Sequence, residues 1–380
     1  MINKSFIIRV IVITAISVLL SLTVKHEILS ISSLTTVARF SDFRTSDLYT
    51  STIYKSAIHY KSESIVILSL DKCNREDLLR SLEIVNKYNP AVIGLDILIE
   101  HSQANDSLLI EFLNKNENIV FSALLNDDCT QLYENYFKGL LYNYNYGAVN
   151  FPTTSSNYVR FFKNQYVYNE ELPINSFASE IVKHYAPDKL EDLILYEKEF
   201  GLIPIAFENV DIDNLSCIDL LENSIPDIKL RELIENKIIL LGTTSDSNDF
   251  FSTPFNNFYP GVKIHAHIID TILKGNYIKD INKFIYFIVN LLICLIFVIV
   301  QDILEVKLSD FCDIIMRIIQ IILLLTLYLV GVYLYSNNIY LNCSFPILAV
   351  LISNIVRDFY LGINNLLNRY GSVWISKLKQ

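Results

Sequence analysis

KIILLGTTSDSNDFFSTPFNNFYPGVKIHAHIIDTILKG, residues Lys237–Gly275, is the stretch that decides the fold. With Asn236 it opens on a run of apolar residues too short for a helix, as in a strand buried on both faces. A loop rich in Ser, Thr and Asp follows. Pro260-Gly261 then precedes Val262 to Lys274, where Ile264, Ile268 and Ile272 recur at helical spacing. A buried strand, a polar loop and an amphipathic helix in that order form one half of a parallel α/β unit.

The same alternation extends upstream. Ser64 to Leu70 (SIVILSL) is a continuous apolar strand ending at Asp71. Asp77 to Tyr88 carries Leu78, Leu79, Leu82 and Val85 at helical spacing, and Asn89-Pro90 stops it. Ala91 to Ile99 (AVIGLDILI) is a second strand, interrupted by Asp96. Ser107 to Asn114 reads as a helix and Asn118 to Leu125 as a third strand. In the middle, Tyr146 to Phe151 and Val159 to Tyr168 read as strands joined by a polar turn. Phe177 to Tyr185 reads as a helix and Ile203 to Phe207 as a short strand, while Leu190 to Glu199 carries the least signal. The expectation is an α/β domain with a mostly parallel sheet flanked by helices.

The two ends of the chain are different. Of 380 residues, 52% are hydrophobic and 19% charged, which excludes disorder, and the apolar residues pile up in runs that exclude a single soluble domain. Phe6 to Val24 is long enough to cross a bilayer. Arg9 lies one turn inside it, able to reach the interface, and no convincing cleavage site follows, so an uncleaved anchor is expected. Phe284 to Val300 and Ile318 to Tyr335 are two more runs. Phe345 to Val356, continuing to Leu361, is the weakest because Asn354, Arg357 and Asp358 interrupt it. The membrane part is thus expected to be all-α, four helices arranged one plus three. The divisions are 1–24 for the anchor, 25–283 for an outer domain, 284–361 for the three-helix region and 362–380 for a short tail.

Basic residues set the orientation. Lys4 and Arg9 flank the first run, Lys307 and Arg317 separate the second and third, and Arg357, Arg369, Lys377 and Lys379 follow the fourth. Ser336 to Ser344 has neither Lys nor Arg. Both termini are therefore expected in the cytoplasm, although Lys274, Lys279 and Lys283 dissent mildly. Of Lys+Arg 31 and Asp+Glu 41, 23 and 36 belong to the outer segment, a net of −13 within the chain's −10. Such an acidic exterior excludes nucleic acid and argues against anionic lipid as its main partner. Cys73, Cys129 and Cys217 lie in the outer segment with wide spacing and no C-x-x-C, and no disulfide is assigned from the sequence.

Asp71 and Asp96 fall at the carboxyl ends of adjacent strands, where open α/β sheets bind ligands. Asp249 lies in the loop after the Asn236–Gly242 strand, which opens on the same side. Three carboxylates there suit a cation or a cationic solute; the competing reading is that they cap helices and pin loops. His265 and His267 would diverge on a helix and lack a third ligand at suitable spacing, so His265 is read as a structural hydrogen-bonding residue rather than a metal ligand. It is kept with Asp71, Asp96 and Asp249 as a candidate ligand-binding residue. No G-x-G-x-x-G, G-K-[ST] or G-x-S-x-G pattern occurs, so no nucleotide, cofactor or catalytic residue is assigned. The Tyr-rich stretch Tyr133 to Tyr146 reads as a packed flap or a recognition surface.

These motifs together resemble the CHASE2 domain, the extracytoplasmic sensory module of bacterial membrane receptors. The carriers are Ser41-Asp42-Phe43-Arg44 and Ser46-Asp47-Leu48-Tyr49, IVILSLD ending at Asp71, YNPAVIGLDILIE around Asp96, Gly147 to Phe151 with Arg160, and above all Lys237–Gly275. The resemblance covers roughly residues 39–279. It implies one membrane helix before the domain, three after it, and a location in the inner membrane. A Trp/Pro-containing loop common after the family's first strand is missing, and only about 19 residues follow the fourth run, so no output activity is implied. The expected function is a non-enzymatic sensor that binds a small molecule or envelope partner outside and relays to a separate protein inside; a homodimer is compatible with it. Two other readings are a metal-dependent hydrolase using Asp71, Asp96, Asp249 and His265, and a non-signalling envelope scaffold.

Overall fold

The computed structural model describes residues 4–30, 45–56, 60–103, 106–126, 128–153, 157–168, 172–207, 210–308 and 312–377. The motif Ser41-Asp42-Phe43-Arg44 lies outside them. The N-terminal apolar run forms helix α1 (Lys4–Ser30), followed by α2 (Thr45–Ser56). The chain divides into two compact units, Met1–Tyr49 with Asp280–Gln380, and Thr50–Lys279.

The Thr50–Lys279 unit is built on one sheet. Its strands are β1 (Tyr60–Ser69), β2 (Val92–Asp96), β3 (Ile119–Leu125), β4 (Leu132–Tyr133), β5 (Asn145–Ala148), β6 (Val210–Ser216) and β7 (Ile238–Gly242). The order is β6-β1-β7-β2-β3, with β5 parallel to β3 and only β4 antiparallel. Where they are covered, at Ile65–Leu68, Val92–Leu95 and Ile238–Leu241, the central strands carry no polar side chain, because helices lie on both faces. On one face lie α3 (Arg75–Asn86), α4 (Asp106–Lys115), α7 (Cys217–Leu221) and α8 (Asp227–Ile234), packed on Val66, Leu68, Ile93, Leu95, Ile239 and Leu241. On the other lie α5 (Phe177–Tyr185), α6 (Asp188–Phe200) and α9 (Gly261–Lys274), packed on Ile65, Ile67, Val92, Ile238 and Leu240. Each such aliphatic side chain contributes about 1.5–3 kcal/mol on burial. This is the expected mostly parallel, helix-flanked architecture.

Local sequence explains the edges of these elements. Asn74 caps α3: its Oδ1 accepts from the backbone N–H groups of Glu76 and Asp77 at 2.8 and 3.0 Å, and Asp77 Oδ2 accepts from Asn74 N–H. That is a capping box, and it starts the helix whose Leu78, Leu82 and Val85 are buried. Ser176 caps α5 in the same way through Ser179 N–H. Gly275, with φ 66°, ends α9 in the left-handed region that glycine tolerates.

Three details differ from the expectations. Val159 to Tyr168 is two short strands outside the main sheet rather than one: Phe161–Phe162 pairs with Ile203–Pro204, and Gln165–Tyr168 pairs antiparallel with Leu172–Asn175. Leu190 to Glu199, weak in sequence, lies inside α6 and buries Leu193 and Tyr196. Strand β6 was not anticipated, because as an edge strand it buries only Val210 and Leu215 and carries Asp211, Asp213 and Asn214 between them.

The Tyr-rich stretch packs as a flap. Phe137 is buried, and Tyr144 stacks on Phe121 and Tyr146, while Tyr142 is left exposed.

In the other unit, α1 packs with α10 (Lys283–Leu308) and α12 (Ser344–Lys377), and α11 (Cys312–Ser336) completes a bundle. Phe284–Glu305, Ile314–Ser336 and Pro346–Leu367 are long and apolar enough to span a bilayer, and Phe6–Ser21 is a shorter apolar stretch of α1, giving the one-plus-three arrangement. The last apolar window ends six residues later than the sequence reading placed it, and α12 continues unbroken to Lys377. Arg9, expected to reach the interface, donates from Nε to Asp302 Oδ2.

Candidate functional site

The parallel register aligns Ser69 of β1, Gly242 of β7 and Asp96 of β2 at the carboxyl edge of the sheet. The chain leaves β1 toward α3 on one face and leaves β7 toward α9 on the other, so a crevice opens where the connections part. All three candidate carboxylates lie along this edge, but they do different things.

Asp71 is saturated. Its Oδ1 accepts from the backbone N–H groups of Thr244 and Ser245 at 3.0 and 3.2 Å. Its Oδ2 accepts from Thr244 Oγ1 at 2.6 Å and Ser69 Oγ at 2.7 Å. Burial pushes this carboxyl up, but the hydrogen bonds outweigh it and lower it to about 2. Asp71 thereby ties the loop after β7 to the end of β1.

Asp249 ends the 3-10 turn Ser247–Asp249, whose start Asp246 caps by accepting from Asn248 N–H. Its carboxylate accepts from the Gly261 backbone N–H at the start of α9. A Cβ at position 261 would fall 2.5 Å from Asp249 Oδ1, so the glycine of the Pro260-Gly261 pair is what admits the carboxylate to the helix end. Burial pushes Asp249 up to about 6, with Gly261 opposing and Asp246 adding to the rise.

Asp96 is half-buried, and its carboxyl makes no hydrogen bond or ion pair among the described residues. Burial, and then the charge of Asp249, raise it to about 8. Asp96 and Asp249 are therefore the two carboxyls that burial raises and whose charges interact, with Asp71 engaged elsewhere.

His265 is apart from this pair. It is buried on α9 between the rings of Phe151 and Phe177, 4.6 and 5.1 Å away. Burial lowers it to about 3, and its ring has no hydrogen-bond partner among the described residues. The structural hydrogen bond expected of it falls instead to His267, whose Nε2 meets Tyr259 Oη at 2.8 Å. Among the described residues, no three His, Cys, Asp or Glu side chains are grouped so as to hold a metal ion.

Other resembling motifs prove architectural. A Cβ on Gly147 would fall 2.6 Å from Phe177 Cα, so the glycine lets α5 sit on β5. The Asn150 side chain accepts from Leu125 N–H and donates to Leu125 O. Arg160 is buried with its guanidinium 3.9 Å from the Tyr158 ring centroid.

One linkage escaped the sequence reading. Cys73, just beyond β1, and Cys217, just beyond the neighbouring β6, form a disulfide. Their spacing of 144 residues gave no local signal, but their positions after adjacent strands bring them to one edge. Such a bond fits an oxidising compartment.

No curated protein matches the chain, and no solved structure matches it. A family model described as the CHASE2 domain matches residues 34–300, from before α2 into α10. With the disulfide-linked α/β domain and the apolar helices on either side of it, this places the chain in the CHASE2 family of extracytoplasmic sensory domains, carried here by a membrane protein.

Proposed function

We propose that this protein is a non-enzymatic membrane sensor whose outer domain receives a solute at the carboxyl edge of the sheet. The observation that carries the reading is Asp96. A half-buried carboxyl without a hydrogen-bond partner among the described residues, beside a second carboxylate at a helix start, is unfavourable for folding alone and suited to a solute bearing a cationic or hydrogen-bond-donating group. Asp71 fits the role of a positioning residue that holds the adjoining loop. A metal-dependent hydrolase is less well supported, since Asp71 and His265 are engaged away from the pair.

Binding would shift the domain between conformations to the extent that the two differ in affinity. The chain passes from α1 into the domain and out of it into α10, so both connections carry the change to the membrane helices. With both termini in the cytoplasm, residues 301–317 and 362–380 are the segments available to a separate output protein. The first test is thermal unfolding of the full chain in nanodiscs with putrescine and other organic amines. A concentration-dependent rise in Tm, lost in Asp96→Asn, supports the site, and no response to any amine removes it. The relay is tested by deleting residues 362–380. If every co-purifying partner is retained, the tail is not the docking element.

A further inference from the structure

The opposite, amino-terminal end of the sheet holds a second cavity, of about 910 Å³, which none of the strand-end carboxylates touches. It opens where β1 and β6 fall out of register. Lys61 pairs with Asp211 and Val66 with Asp213, so four residues of β1, Ser62 to Ile65, stand opposite the single Ile212. The pairing of β1 with its other neighbour β7 begins only at Ile65. Glu63 and Ser64 thus have no residue opposite them in either neighbouring strand, while Ser62 Oγ closes the arch by accepting from Ile65 N–H at 3.2 Å. A bulge of this size bends the strand away from its neighbour and opens the cavity beside it.

The walls carry both signs of charge. Lys61 is paired with Asp213 at 2.9 Å, and Lys274 with Asp270 at 2.9 Å. The side chains of Lys229, Lys237 and Glu63 have no ion-pair partner among the described residues. Asp213 adds an orphan: Oδ1 meets Lys61, but Oδ2 is buried without a hydrogen-bond partner. Ammonium groups and a carboxylate without ion-pair partners among the described residues, with an unsatisfied carboxylate oxygen, together present complementary groups to a molecule that is itself both cation and anion. A purely anionic ligand would leave Glu63 and Asp213 Oδ2 unanswered, and a purely cationic one would leave Lys229 and Lys237 so.

We infer that this groove binds a small zwitterion of the amino-acid or short-peptide class, its carboxylate toward Lys237 and Lys229 and its ammonium toward Glu63 and Asp213. The volume accommodates such a molecule. The position gives binding a direct consequence, because the groove is lined by the start of β1 and the end of α9, the first and last large elements of the domain. A ligand there bridges the incoming and outgoing chain without a signal crossing the sheet.

The test is binding of trialanine to the full chain in nanodiscs, followed by calorimetry and thermal unfolding, alongside acetyl-trialanine, which lacks the ammonium, and trialanine amide, which lacks the carboxylate. Trialanine is expected to bind, and each blocked peptide to bind at least about tenfold more weakly, as for loss of one charge-assisted contact. Lys237→Gln is expected to weaken trialanine severalfold and trialanine amide hardly at all. Glu63→Gln is expected to weaken trialanine but not acetyl-trialanine. Asp96→Asn is expected to leave the difference in affinity between trialanine and trialanine amide unchanged, which separates this site from the strand-end pair. No binding of trialanine to the folded wild-type chain, or equal binding of all three peptides, overturns the proposal.

Discussion

Arg9 and Asp302 are 293 residues apart in the chain, yet Arg9 Nε donates to Asp302 Oδ2 at 2.8 Å. The Asp302 carboxylate is fully buried. Its other oxygen faces Arg357 Nε at 3.4 Å, and Arg357 also meets Glu305. One acid on α10 thus holds arginines from α1 and α12, joining the helix that enters the outer domain to the helix that leaves it and to the last helix. In a bilayer such a group is stable only because its partners are in place.

Removing Asp302 should therefore cost more than removing a surface ion pair. Asp302→Asn leaves Arg9 facing a neutral side chain and strips Arg357 of one of its acidic neighbours, and the expected loss is about 3–5 kcal/mol of bundle stability. Replacing Arg9, Asp302 and Arg357 together by Met, Leu and Met should recover much of that loss. Denaturation of the full chain in detergent, read for the parent and both variants, checks it. A triple variant no more stable than Asp302→Asn would contradict the pairing.

The Cys73–Cys217 disulfide closes a loop spanning 144 residues, and Cys73→Ser should cost about 2–5 kcal/mol. The bond also reports sidedness. In intact cells a membrane-impermeant maleimide should label Cys73 only after reduction, whereas Cys129, which is partly exposed and free, should react without it. Labelling of Cys73 without reductant would mean that the bond is absent, and no labelling of Cys129 would mean that the domain faces the cytoplasm.

Much of this was legible because it is local. The apolar strands at Ser64–Leu70, Ala91–Ile99 and Ile238–Leu241, and the helix at Phe177–Tyr185, are specified by periodicity within themselves. So were the four apolar runs. What escaped depends on partners far along the chain. Strand β6 reads as a polar loop because an edge strand needs only Val210 and Leu215 inside. The disulfide needed the knowledge that β6 lies beside β1. Within the candidate site, placement at strand ends was readable for Asp71 and Asp96, but not the division of labour. Only the geometry assigns Thr244 and Ser245 to Asp71 and leaves Asp96 without a hydrogen bond among the described residues, within the field of Asp249.

That division predicts a stabilising substitution. Asp96 sits at about 8 in the folded protein, above its ordinary value near 3.8. A carboxyl raised by folding leaves stability unaffected at acid pH and penalises the fold as pH climbs from about 4 toward 8. Asp96→Asn should thus be more stable than the parent at pH 7 by about 1–3 kcal/mol, after allowing for its partial exposure. The gain should vanish near pH 4. Unfolding curves at both values check it, and an equal effect at the two would rule out the raised carboxyl.

The buried histidines give the opposite slope. His265 and His267 lie at about 3 and 4, below the ordinary 6.5, because burial disfavours the charged ring. Groups lowered in this way support the fold fully above about 6.5, and that support is lost as pH falls through 6.5 toward 4 and 3, since the unfolded chain takes up protons first. Among the described residues His265 meets the rings of Phe151 and Phe177 and makes no hydrogen bond, so His265→Leu removes a titrating group without breaking one. His267→Leu also strands Tyr259 Oη and should cost stability at every pH, by about 1–3 kcal/mol. The expected result is that His265→Leu resists acid better than the parent between pH 6.5 and 4, while matching it within about 1.5 kcal/mol at pH 8. Melting temperatures measured across that range decide it: a parallel curve for His265→Leu would mean that the imidazole is not held neutral by its surroundings.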